Sequence, residues 1–258
     1  MNHRVTIVRW VIRRRLVTMS LAPRRGSYVL IPLLSIVTMV GVTSLSAEAA
    51  TPLKTAASVL SAAKSSMQKE SSVHITVDSR TGTLKSTLVV DISATRGQET
   101  IREGAKIISI VVTPTFAYLS GSKDGLTSIM GLTAAELKKV GTRVISMKAG
   151  TTPYRNFASS LTTPVLTSML PSSVGTTLTT RSGARKNYQL SWSVKSSSTT
   201  LATKSVLTLT KGSMTLPISE TIKSTSGGGT TSFTKWGRSF RVKVPLSSNL
   251  VSYTKVLG

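Results

Sequence analysis

Apolar residues recur at helical spacing through Leu53, Ala56, Ala57, Leu60, Ala63 and Met67, while Lys54, Ser58, Ser61 and Ser65 fall on the opposite face. The spacing predicts one amphipathic helix over 52–69, opened by Thr51-Pro52, where Thr caps free N–H groups and Pro suits the first helical position. The period then drops to two. VHITVDSR (73–80) and TLVVDI (87–92) read as strands, the second with Leu88, Val90 and Ile92 on one face. IISIVV (107–112) is apolar on both faces except at Ser109, which predicts a central strand, and FAYLS (116–120) follows the Pro114 turn. Thr133-Ala-Ala-Glu136 is a capping box that opens a short helix closed by Gly141. Thr163-Pro164 opens a second one, running to Leu170 and stopped by Pro171. In the last third YQLSWSV (188–194) alternates, with Tyr188, Leu190, Trp192 and Val194 against Gln189, Ser191 and Ser193. Runs 201–210 and 214–223 meet at the hairpin signal Lys211-Gly212, and Gly227-Gly228-Gly229 predicts another turn. SFTKW (232–236) and FRVKVPL (240–246) close the series, the latter with Phe240, Val242 and Val244 on one face. One helix, about four strands, a helical middle and about five strands make an α+β fold, an antiparallel sheet with helices on one face. No 20–50-residue period repeats, which excludes a solenoid.

Upstream of this pattern the chain changes character. Tyr28 to Val42 is apolar apart from one Ser and one Thr, matches a secretory h-region in length, and is short for a spanning helix. Seven arginines precede it, from Arg4 to Arg25. In the following stretch TSLSAEAATP, Ala47-Glu48-Ala49 fits the small-x-small pattern of a signal peptidase and predicts a cut before Ala50. The rival is an uncleaved anchor. Met19 is an alternative start, and Arg24-Arg25 is continued by Gly26 and Ser27, which favours the ordinary secretory route over a twin-arginine one. The expected organisation is a leader over 1–49 and one domain over 50–258, exported across the cytoplasmic membrane and working outside the cell or in its envelope. The chain has no Cys, which excludes a lipidated thiol, a disulfide and a thiolate metal site.

Charge narrows the partners. Seven of the 33 Lys and Arg and one of the nine acids precede Ala50, so the remaining 209 residues carry 26 basic against 8 acidic side chains, net about +18. Such an excess suits an anionic membrane or cell-wall surface. The basic residues are scattered singly and aromatics are few, so no stacking platform for nucleic acid is evident. Catalytic constellations are missing as well. His74 alternates within a strand and is the one His after the leader, no HExxH occurs, and the acids Asp78, Asp91, Glu99, Glu103, Asp124, Glu136 and Glu220 show no pair spacing. Gly227 to Gly229 lack the Lys and helix start of a phosphate loop. The expectation is a non-enzymatic protein with no cofactor and no metal.

GLTAAELKKVGTRVISMKAGTTPYRNFASSLT (131–162) is similar to the middle region of the LolA-like carriers, most closely the LppX/LprG-type exported lipoproteins of actinobacteria. There a short helix, a "k-W-i-s-m"-like strand and a Tyr/Phe-containing helix follow one another. The tail FTKWGRSFRVKVPLSSNLVSY resembles that family's ending. Two departures stand out: no Cys follows the cut, and Val144 replaces a frequent Trp. The resemblance implies a curved antiparallel half-barrel sheet with helices covering its concave face, around an apolar cavity for a lipid or acyl-chain ligand. Leu88, Val90, Ile92, Ile108, Ile110, Tyr188, Leu190 and Trp192, on the longest apolar strand faces, are then the candidate lining, with helices 134–140 and 164–170 as cover. An ordinary filled core is the competing view. The competing function is a basic wall-associated structural or adhesive module that binds anionic envelope polymers.

Overall fold

The structure is a computed structural model that describes residues 55–171, 176–181, 187–195, 202–225 and 227–257. The expected leader with its Ala47, Ala49 and Ala50, and the expected cap Thr51-Pro52, lie outside the described residues. Helix α1 (Ala56–Lys69) starts from Thr55. The Thr55 hydroxyl accepts the Ser58 N–H at 3.1 Å and the Ser58 hydroxyl accepts the Thr55 N–H at 3.0 Å, a reciprocal cap. Its apolar stripe Val59, Leu60, Ala63 and Met67 is buried.

Twelve strands then form one open sheet: β1 (Ser72–Thr81), β2 (Leu84–Ser93), β3 (Gly97–Glu103), β4 (Lys106–Val112), β5 (Phe116–Gly121), β6 (Val144–Lys148), β7 (Thr177–Arg181), β8 (Asn187–Lys195), β9 (Ala202–Thr210), β10 (Pro217–Ser224), β11 (Gly227–Thr234) and β12 (Leu250–Ser252). Their spatial order is β12-β6-β5-β4-β3-β2-β1-β11-β10-β9-β8-β7. Every pair is antiparallel except β12 on β6, which is parallel. The fold is α+β, an unclosed half-barrel type of sheet with a few helices. Between β5 and β6 lie α2 (Lys123–Ser128) and α3 (Ala134–Val140), and after β6 comes α4 (Thr152–Ser160). A final α5 (Tyr253–Leu257) packs on α3. No helix of the described residues is long and apolar enough to cross a membrane.

Several expectations are corrected. Gly227–Gly229 is no turn: the three glycines run within β11, between β1 and β10. FRVKVPL (240–246) alternates like a strand but forms none; it belongs to the connection 235–249 that carries the chain from mid-sheet to the β12 edge. The segment Thr163–Met169 is a 3-10 helix preceded by Thr162, which makes no side-chain cap, so Thr163 is not the cap residue. β3 (GQETIRE) and β7 (TLTTR) escape the pattern because each holds a single apolar side chain, Ile101 or Leu178. The capping box at Thr133, by contrast, is present: the Thr133 N–H donates to Glu136 Oε2 at 2.6 Å.

The helical middle docks on the sheet by a close approach at Gly97. A Cβ there would fall on the Leu161 carbonyl oxygen and 2.7 Å from Leu161 Cβ, so the end of α4 rests directly on β3. Tyr154 of α4 fixes the other end, its hydroxyl donating to the Thr113 carbonyl at 2.9 Å.

Candidate functional site, the inner sheet face

Strand register sorts the inner face into rows that run across the sheet. One row reads Val251, Ile145, Leu119, Ile110, Glu99, Val90, Ile75, Phe233 from β12 to β11. A second starts with Ile108, Ile101, Leu88 and Val77 and continues over Thr231 and Glu220 to Leu207, Leu190 and Leu178. A third, through Met147, Ala117, Val112, Gly97, Ile92 and Val73, lies under α4. These rows, with α1, supply most of one hydrophobic cluster.

Toward the tips of the β1–β2 and β10–β11 hairpins the character changes. The next row holds Ser86, Ser79, Gly229, Ile222, Ser205 and Trp192. Thr81 Oγ1 and Ser86 Oγ are both buried without a hydrogen-bond partner among the described residues, and a buried orphan hydroxyl calls for an explanation. Glu220 shares the neighbouring row with Thr231 and Leu207, and burial pushes its carboxyl up to about 7. The inner face is thus apolar over most of its extent and polar at one end.

The candidate lining residues are brought together. Leu88, Val90, Ile92, Ile108, Ile110, Tyr188 and Leu190 are all buried in the same cluster, and Trp192 packs against it half-buried. The sequence reading missed the two inner-face carboxylates, Glu99 and Glu220. Their parity with apolar neighbours on β3 and β10 was the available signal, but neither stretch alternates well enough to show it.

His74 faces the other way. Its Nδ1–H donates to Asp91 Oδ1 at 2.7 Å, and Gln98 Nε2 donates to Asp91 Oδ2 at 2.7 Å, a polar ladder over β1, β2 and β3. Thr76 Oγ1 stands 3.4 Å from His74 Nε2, beyond the roughly 2.6–3.2 Å of an activated nucleophile and base. The ladder is a cross-strand tie. No group of three or more potential metal ligands occurs among the described residues.

No family model and no curated protein matches the chain. Among solved structures it is similar to the crystal structure of Mycobacterium tuberculosis lipoprotein LppX, at 12% sequence identity over 72% of this chain and 99% of that chain, with a TM-score of 0.43. It is also similar to LprF from Mycobacterium bovis, at 11% identity over 74% of this chain and 96% of that chain, with a TM-score of 0.43.

Proposed function

We propose that this protein is an exported, non-enzymatic binding protein of the bacterial cell envelope that holds a lipid or acyl chain against its inner sheet face. The carrying observation is the graded face: apolar rows give way toward the hairpin tips to a polar end, where the buried hydroxyls of Ser86 and, one row further, Thr81 have no hydrogen-bond partner among the described residues. An amphiphile has that same gradient, and a concave apolar surface with a few convergent polar groups is the usual form of a ligand site. Leu88, Val90, Ile92, Ile108, Ile110, Leu190, Tyr188 and Trp192 form the acyl-facing wall in this reading. Thr81, Ser86 and Glu220 meet the polar end.

Ile110→Trp tests it. Beside an acyl cavity the larger ring leaves stability nearly intact and blocks uptake of a fluorescent fatty-acid probe. In a filled core the same change costs about 1–3 kcal/mol. Native mass spectrometry of the purified protein, before and after lipid extraction, identifies the amphiphile. Absence of probe binding by the wild type at both low and high salt overturns the reading. A second reading, a basic module that binds anionic wall polymers, is favoured by the 26 basic against 8 acidic side chains from Ala50 onward. Salt separates the two, since contacts through scattered charges fade at high ionic strength and acyl burial does not.

A further inference from the structure

The geometry points to a second binding site on the outer face of the sheet, a groove for a linear anion that carries two or more phosphate groups. Behind the polar end of the inner face lies a groove of about 430 Å³, whose lining includes Arg80, Lys85, Lys223 and Gly228. Register puts these four in one row across β2, β1, β11 and β10: Lys85 opposite Arg80, Arg80 opposite Gly228, and Gly228 opposite Lys223. The neighbouring row, Thr87, Asp78, Thr230 and Thr221, completes the outer walls.

Three features set this row apart from a solvated basic surface. Like charges directly opposite one another destabilise a strand pair, yet Lys85 and Arg80 are aligned. Arg80, Lys85 and Lys223 form no ion pair among the described residues; Arg80 Nε donates to the Gly82 carbonyl at 2.9 Å, which uses one of its five N–H donors. The gap between Arg80 and Lys223 is a glycine within a strand, a placement that marks close approach of another backbone or a ligand. Here the backbone itself is tight, since a Cβ on Gly228 would sit 2.6 Å from the Ile222 carbonyl oxygen, and the missing side chain leaves the groove open between the cations.

Dimensions choose the ligand. Three inter-strand steps of roughly 4.8 Å place Lys85 and Lys223 about 14 Å apart, too far for one tetrahedral anion and suited to a chain of them. Guanidinium and ammonium groups both bind phosphate oxygens, and the threonine hydroxyls of the next row add donors. Asp78 already accepts the Thr87 hydroxyl at 3.0 Å and leaves the row net positive. The site rests on register and groove shape, independent of the acyl reading.

The test is titration calorimetry of the protein with sodium tripolyphosphate, run beside flotation with phosphatidylcholine vesicles that do or do not contain phosphatidic acid. Arg80→Ser/Lys223→Ser weakens tripolyphosphate binding about tenfold or more, while Lys64→Ser/Lys69→Ser, which removes the same charge from exposed sites on α1, changes it little. Lys85→Glu is the decisive variant: it replaces a repulsive cross-strand pair by an attractive one, so it raises Tm and lowers affinity together. Parallel loss of flotation on phosphatidic acid identifies a headgroup as the source; loss confined to tripolyphosphate identifies a soluble or wall-borne polymer. Equal loss in the groove variant and the α1 control, or no binding by the wild type in either arm, overturns the proposal.

Discussion

Glu220 shows how one side chain records the design of the inner face. Its cross-strand neighbours are Thr231 and Leu207, and no charged side chain shares its row, so desolvation acts unopposed and pushes the carboxyl up to about 7 from 4.5. Because the folded-state value is raised, the folded protein binds more protons than the unfolded chain between about pH 4.5 and 7. Stability therefore falls as pH rises through that window, and above it the full cost of a shielded carboxylate is present. Glu220→Gln removes this term. The variant is expected to be more stable than the wild type at pH 8 by on the order of a few kcal/mol, seen as a higher Tm, and to match it near pH 4. Thermal melts across pH 4–8 check it; parallel pH profiles for both proteins would show that Glu220 is not the titrating group. The sequence displayed this carboxylate among eight acids after the leader but not its surroundings, because those come from β9 and β11 rather than from β10 itself.

At the scale of elements, α4 depends on the absence of one side chain. Gly97→Ala places a methyl group on the Leu161 backbone, and neither the strand nor the helix end can yield as a flexible side chain would. The expected loss is about 1–3 kcal/mol, the usual cost of overpacking, read as a lower denaturant midpoint with unchanged slope. A midpoint like the wild type's would place α4 elsewhere. Alternating strands were readable from the chain, as β1, β2 and β8 show, and β4 and β5 were readable as short apolar runs on either side of the Pro114 turn. So was the Thr133–Glu136 box, whose hydrogen bonds hold the Glu136 carboxyl below the usual range. What failed, failed for definable reasons. Glycines 227–229 look like a turn because local sequence records conformational freedom and not the two strands that flank them. FRVKVPL has strand periodicity, but a strand also needs a free neighbour, and the connection to β12 provides none. The inner-face wall was legible because burial enforces alternation; the outer groove was not, since it exists only through the register of four strands.

The whole molecule is an open sheet whose last connection reaches from its middle to its edge. From β11 to β12 are seven inter-strand steps, about 34 Å at roughly 4.8 Å each, and the fifteen residues 235–249 reach at most about 50 Å when extended. The connection is long enough for that crossing, with a turn at 236–237 and a 3-10 helix at Ser247–Asn249 along it. It is tied near its start, where the Gly237 N–H donates to the Ser72 carbonyl at 2.9 Å. Further on it is exposed, with Val244 at 52% and Leu246 at 77%. Beyond it the chain is anchored again, by Val251 on β12 and Val256 on α5, both buried in the core. Exposed, weakly bonded backbone between two anchored ends is where native-state proteolysis acts. Brief trypsin treatment is expected to cut after Arg241 or Lys243. The piece from there to the C-terminus should nevertheless stay with the body of the protein, because β12 pairs with β6 and α5 packs on α3. Size exclusion of the nicked protein should give one native peak, in which denaturing mass spectrometry finds the C-terminal fragment. Release of that fragment on nicking would mean that the covalent connection, and not the packing of Val251 and Val256, holds the β12 edge in place.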